Sequence, residues 1–200
     1  MHVDIKDLSG RARYEWMIRA IVPRPIAFVS TVSAGGAPNL APFSYFNGVT
    51  GRPPVVSIAI GNRRGGARKD TLRNIEETGE LVINAVTEEI AQPMADCGPD
   101  WPPGVDEFAV AGLTGVPSDL VRPPRVAESP LAMECRLYRL VPVENTATLV
   151  LAEILRIHAR EEILTDGLPD PAKFRPLGRL GGDDYAGLGP IVAFPPSKTP

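Results

Sequence analysis

The run Arg24-Pro-Ile-Ala-Phe-Val-Ser-Thr-Val-Ser-Ala-Gly-Gly-Ala-Pro-Asn-Leu-Ala-Pro-Phe-Ser-Tyr-Phe46 decides the fold. Its two flanks, residues 26–33 and 40–46, are rich in β-branched and aromatic side chains. The intervening Ala34-Gly35-Gly36-Ala37-Pro38 supplies the backbone freedom of a turn, so the pattern predicts a β-hairpin. Working outward, Val55-Val-Ser-Ile-Ala-Ile60 follows Pro53-Pro54 and stops at Gly61-Asn62, which predicts a buried strand with Ser57 as its polar exception. A hydroxyl buried there needs a partner, from backbone or ligand. Asp70 or Thr71 can cap a short helix with Leu72 and Ile75 on one face, and the cap is assigned to Asp70; Gly79 ends this helix with positive φ. Residues 81–86 predict a further strand. Thr87 is expected to cap a second helix towards Ala95, shortened or kinked by Pro93.

From Gly98 to Pro130 the chain is dense in Pro and Gly with scattered apolar residues, which predicts a long excursion with little regular structure, placed to cover something. Residues 131–140 and 148–158 return to strand composition, and the polar break at 142–146 makes them antiparallel neighbours. A C-terminal extension from about residue 169 is again rich in Pro and Gly, yet it carries Arg179-Leu-Gly-Gly182 and Tyr185, which a disordered tail does not need. The fold class expected is mainly β. Closing the strands into a barrel removes exposed edges and leaves a few short helices packed outside. No repeat or clean linker divides the chain, so residues 1–200 are expected to form a single domain.

Composition narrows the function classes. The 200 residues are 44% hydrophobic, enough for a sizeable core, and the 22 prolines argue against long helices. A formal charge of −3 gives no reason to expect nucleic acid or an anionic membrane as partner. Cys97 and Cys135 show neither pairing nor metal-ligand spacing, and the N-terminus lacks a basic segment followed by an apolar one. A cytoplasmic, reduced protein is the expectation. No Gly-x-Ser-x-Gly, His-Glu-x-x-His or Gly-x-Gly-x-x-Gly occurs, so hydrolase, metalloenzyme and Rossmann readings lose ground, and no metal is expected.

Arg63, Arg64, Arg68 and Lys69 lead into Asp70-Thr71. A phosphate monoester is best held by cations, hydroxyls and the N–H groups of a helix start, and this run offers all three. A solvated basic loop has the same composition, and the run alone does not separate the two. Asn39-Leu-Ala-Pro-Phe-Ser44 joins two polar side chains to a proline that fixes local geometry. It reads either as a tight turn into a strand or as donors lined up for the edge of a flat ring. His158, after Glu153 and Arg156, is expected to be a hydrogen-bonded structural residue.

Several of these segments, in order, resemble the flavin reductase-like proteins of the FMN-binding split-barrel fold. The likeness runs through residues 24–31 and 39–46, Lys69-Asp-Thr71 with Asn74-Ile75, Glu128-Ser-Pro130 with Glu134-Cys135, and Arg179-Leu-Gly-Gly182 with Tyr185. One departure is Ala152, where relatives often carry glycine before the strand glutamate. The resemblance implies an antiparallel, Greek-key split β-barrel and a homodimer with FMN at the subunit interface. It places the phosphate on Arg63, Lys69 and Thr71, beside Arg64 and Asp70. It sets the ring along Asn39, Ala41, Pro42, Phe43 and Ser44, near Ser57 and Ile58, with Tyr185 close by. NADH or NADPH is the expected transient hydride donor to the flavin, with the 100–130 excursion or the tail around Tyr185 as the gate. The alternative is a non-enzymatic FMN-binding electron carrier or flavin storage protein; a third reading is a β-rich module without flavin.

Overall fold

A computed structural model describes residues 1–63 and 65–195. The main sheet has seven strands: β1 (Ala27–Val32), β2 (Pro38–Phe43), β3 (Phe46–Gly51), β4 (Pro54–Gly61), β5 (Glu80–Asn84), β6 (Leu131–Val143) and β7 (Ala147–Ala159). Their order is β2-β1-β5-β6-β7-β4-β3, with antiparallel neighbours throughout. β2 and β3 lie at opposite ends of this order, yet only Ser44 and Tyr45 separate them in sequence. Strands stand about 4.8 Å apart, and so short a link spans roughly 10 Å, so a flat seven-stranded sheet cannot accommodate it. The sheet therefore curls until its ends meet, as in the expected split barrel.

The predicted hairpin forms as β1 and β2, with Gly36 at φ +87° in its turn. The expectation that the second strand runs to residue 46 is corrected: it stops at Phe43, and Phe46 begins β3, a strand hidden from sequence reading by Gly48, Gly51 and its exposed residues. All six residues of β1 are buried, because both faces are covered. Ala27 and Val29 point into the barrel with Val56, Ile58, Leu81 and Val150. Ile26 and Phe28 point outward under Met94, Phe108, Leu113 and Val126. Each such side chain removed from water contributes about 1.5–3 kcal/mol. Ala152 is fully buried in the barrel beside a register shift in the β6–β7 pairing.

Among the described residues five α-helices surround the sheet: α1 (Gly10–Ala20), α2 (Asp70–Thr78), α3 (Ala91–Asp96), α4 (Glu107–Ala111) and α5 (Pro171–Phe174). α1 is capped by Ser9, whose Oγ accepts from Ala12 N at 3.2 Å; it buries only Ile18, so it lacks the apolar stripe that reveals a helix in sequence. α2 buries Leu72 and Ile75 as expected and ends at Gly79 in the left-handed conformation. Its N-cap is Lys69, not Asp70, and no side chain bonds the freed N–H groups; Asp70 turns instead to Arg63 and Arg73. Thr87 likewise caps nothing. A 3₁₀ turn (Glu88–Ile90) precedes α3, and the buried Thr87 hydroxyl has no hydrogen-bond partner among the described residues.

The excursion after residue 98 carries α4 and a two-stranded ribbon, Gly115–Val116 with Arg125–Val126, and packs over the outer face of β1. Buried polar side chains tie it down. Asn84 donates to Phe28 O at 3.0 Å and accepts from Val126 N at 2.9 Å, while Glu134 accepts from Asp119 N and Leu120 N. In the C-terminal extension, Gly178–Arg179 pairs with both Arg24–Pro25 and Tyr185–Ala186. Among the described residues no helix is long and apolar enough to cross a membrane.

Candidate functional site

Pairing β2 with β1 brings Asn39 opposite Thr31, and α2 packs its first turn against both. The result is a buried polar cluster: Asn39 Nδ2 donates to Thr71 Oγ1 at 2.9 Å and to Thr31 Oγ1 at 3.3 Å, and Asn74 Nδ2 donates to Thr31 Oγ1 at 3.1 Å. These bonds fix the start of α2 beside β2. Asn39, Ala41, Pro42 and Phe43 thereby share one cleft with Arg63, Lys69, Asp70 and Thr71. The cationic turn and the amide-rich strand do face each other. Arg64 lies outside the described residues.

The cations here are held by carboxylates and a carbonyl. Arg63 Nη2 lies 2.6 Å from Asp70 Oδ2 while its Nη1 donates to Trp101 O at 2.9 Å, and Lys69 Nζ lies 2.7 Å from Asp100 Oδ1. Arg68 turns away to Glu76. Residues 97–101 and Glu107 form the opposite wall, so the excursion lies over the cleft as its composition foretold. Glu107 is 7% exposed, and its Oε2 accepts from Leu40 N at 3.1 Å. Burial raises its carboxyl above the usual range, the Leu40 N–H pulls partly back, and Asp70 and Asp106 add to the rise. Asp100, Trp101 and Glu107 escaped sequence reading because nothing local marks a wall supplied from a distant segment.

At Pro42 and Phe43 the cleft meets a second hollow, lined by Ser44, Met94, Arg179 and Tyr185. The Arg179 guanidinium stacks on Tyr185 at 4.5 Å and donates to its hydroxyl. The two hollows are small, about 30 and 50 Å³. A larger cavity of about 300 Å³ between Pro23, Met133 and Leu177 has a mainly apolar lining and lacks the cationic turn. Ser57 and Ile58 do not line the cleft within the chain: Ile58 is fully buried in the barrel, and Ser57 Oγ points to Asn47 O at 3.4 Å.

His158 pairs with Glu134, Nε2 to Oε1 at 2.6 Å, and stands 3.8 Å from Asp119 Oδ2, as a hydrogen-bonded structural residue does. Burial alone would raise the Glu134 carboxyl, but Asp119 N–H, His158 and Leu120 N–H outweigh it and hold it below the usual range. Arg156 Nη1, 2.7 Å from Asp119 Oδ2, supplies the cation that balances this cluster. Burial pushes the Cys97 and Cys135 thiols up to about 12, which removes them as nucleophiles.

The donors of the cleft fit a mononucleotide. One end of the cleft offers two cations, the Thr71 hydroxyl and the uncapped N–H groups of a nine-residue helix, the donor set that suits a phosphate. Its other end, past Pro42 and Phe43, offers the Ser44 hydroxyl and an aromatic face.

The profile of the flavin reductase like domain matches residues 18–177. An uncharacterized protein of Aquifex aeolicus is 41% identical over 186 residues, which is 92% of this chain and 94% of that protein. Among solved structures, nitrilotriacetate monooxygenase component B from Bacillus cereus is 31% identical with a TM-score of 0.93, covering 97% of this chain and 98% of that one. The 2-nitrobenzoate 2-nitroreductase NbaA of Pseudomonas fluorescens is 32% identical with a TM-score of 0.90, covering 100% and 98%. A putative flavin reductase with split barrel domain from Shewanella frigidimarina, 23% identical with a TM-score of 0.85 over 98% and 100% of the two chains, shares the fold.

Proposed function

We propose that this chain, which belongs to the flavin reductase like family, binds FMN in the cleft between β2 and the start of α2 and accepts hydride from NADH or NADPH. The observation that carries this reading is the convergence of Asn39, Ala41, Pro42, Phe43, Arg63, Lys69 and Thr71 on one cleft from segments apart in sequence. Lys69 and Arg63 neutralise the phosphate by exchanging Asp100 and Asp70 for it, and Thr71 with the first N–H groups of α2 completes the donor set. Asp70 remains close through Arg73 and limits the net positive charge. Ser44 and the backbone of 41–44 orient the ring. Tyr185, stacked on Arg179, closes the far side. The bound flavin supplies the two-electron chemistry, so no side chain need act as acid or base.

A homodimer belongs to the same reading. The hollows of one chain are far smaller than a cofactor pocket of about 300–1,000 Å³, so a second copy is needed to cover the ligand. It also gives Ser57 a role, since that side chain lines neither hollow of its own chain and would meet a cofactor held between two copies. Residues 97–101 and Glu107 exclude water from the phosphate end.

An absorbance spectrum of the purified protein, with FMN added and then anaerobic NADH or NADPH, tests the proposal. A perturbed flavin band that bleaches on nucleotide addition and turns over with oxygen is the expected result. A flavin that binds but is reduced by neither nucleotide transfers the assignment to an electron carrier. Failure to quench FMN fluorescence removes flavin altogether.

A further inference from the structure

Arg24 is 5% exposed, and among the described residues no carboxylate lies within ion-pair distance of it. A cation withdrawn from water without a counter-ion is costly, and it persists only where its donors are used. Arg24 uses them on three segments at once. Nη1 donates to Ile18 O and, at 2.8 Å, to Ile21 O; Nη2 donates to Leu180 O at 2.6 Å; Nε donates to Ser44 Oγ at 3.3 Å. The carbonyl bonds anchor α1 and the C-terminal extension. The Nε bond does something else.

Arg has donors only, so the Ser44 oxygen must accept from it, and the hydroxyl proton is left for another acceptor. Among the described residues Ser44 Oγ makes no second hydrogen bond. Ser44 is half-buried and lines the hollow with Arg179 and Tyr185. A hydroxyl polarised by a buried guanidinium is also a better donor than a free one.

We propose that Arg24 is a positioning residue: it holds and polarises the Ser44 hydroxyl as a donor, so that the far end of the cleft favours a ligand edge carrying a carbonyl or imine acceptor. The inference rests on the FMN reading and adds to it a residue that never touches the ligand. The bond occupies one lone pair of the hydroxyl and leaves its proton free to donate into the hollow.

The test is a double-mutant cycle on FMN-loaded protein, read by FMN dissociation constant, flavin absorbance and the carbonyl stretching bands of bound FMN. Arg24→Lys keeps a cation for the Ile18 and Ile21 carbonyls but cannot also supply the Nε bond. Ser44→Ala removes the hydroxyl. Each single variant is expected to weaken FMN about three- to tenfold, the worth of one hydrogen bond, with the same shift of a carbonyl band to higher frequency. Together they should weaken binding no more than Ser44→Ala alone. Additive losses, or an unshifted band in Arg24→Lys, would overturn the proposal. If Arg24→Lys does not fold, Ser44→Ala still decides: unchanged affinity and bands in that variant exclude a donating hydroxyl. Wild-type protein that fails to bind FMN refutes the cofactor reading itself, which separates the two failures.

Discussion

Inside the barrel, Val29, Ile58, Leu81 and Val150 are fully buried and packed on one another, and their neighbours are apolar from every direction. At the rim, where β2 meets α2, the buried residues are Asn39, Thr71, Asn74 and Glu107, each held by hydrogen bonds to a segment distant in sequence. The interior is stabilised by area removed from water, which is insensitive to direction. The rim depends on donors and acceptors meeting at fixed angles, and it breaks local rules: a helix start without a side-chain cap, a carboxyl buried beside other acids. Deviations of this kind concentrate where a fold binds something. The difference teaches that substitutions in the interior should be felt as stability, and substitutions at the rim as ligand affinity.

The largest expected effect tests the interior side. Phe28→Ala empties the layer between β1 and the excursion and should cost about 3–5 kcal/mol, measured by urea unfolding of the apo protein. A cost below about 1 kcal/mol would mean that this layer is not packed as described. Next, Lys69→Ala should weaken FMN by about 1.5–3 kcal/mol, roughly ten- to over a hundredfold, while shifting the melting temperature little, because its partner Asp100 is partly exposed. Comparable losses in both quantities would erase the distinction between rim and core. Gly79→Ala should cost about 1 kcal/mol of stability with FMN affinity unchanged once folded, since φ is +70° at that C-cap.

The smallest effect sharpens the comparison through pH. Burial raises the Glu107 carboxyl in the folded state above its ordinary value of 4.5, so the fold prefers it protonated. Its contribution is fully present below about pH 4.5 and is lost as pH rises through the raised value. Glu107→Gln, which keeps an acceptor for Leu40 N, should therefore raise the melting temperature near neutral pH, and the gain should vanish towards pH 4.5. An equal gain at both pH values would show that ionisation is not the cause. Glu134 runs the opposite way: its carboxyl is held low, and stability present above pH 4.5 is lost as acid protonates it.

Legibility followed the range of the interactions. The β1–β2 hairpin, the buried strand at β4 and the α2 face of Leu72 and Ile75 could be read because turn residues and apolar spacing act within a few positions. α1 could not, since its helix is held by a Ser9 cap and one buried residue. The expected second strand overruns to Phe46 because the bend at Ser44 and Tyr45 carries no glycine or proline to announce it, and the rest of β3 has no local strand pattern. The Asp70 cap failed because Arg63 and Arg73 compete for the same carboxylate, and an ion pair outbids a cap that spacing alone proposes.

What the sequence by itself determined, then, is the inventory: short strands, a cationic turn before a helix, and a polar stretch in the second half of a hairpin. The tertiary structure alone decided that the turn and the polar stretch in β2 share a cleft, that Glu107 and Asp100 wall it, and that Arg24 reaches Ser44. Local patterns are fixed by neighbours along the chain, whereas a cleft exists only once barrel closure has overcome the entropy of bringing distant segments together.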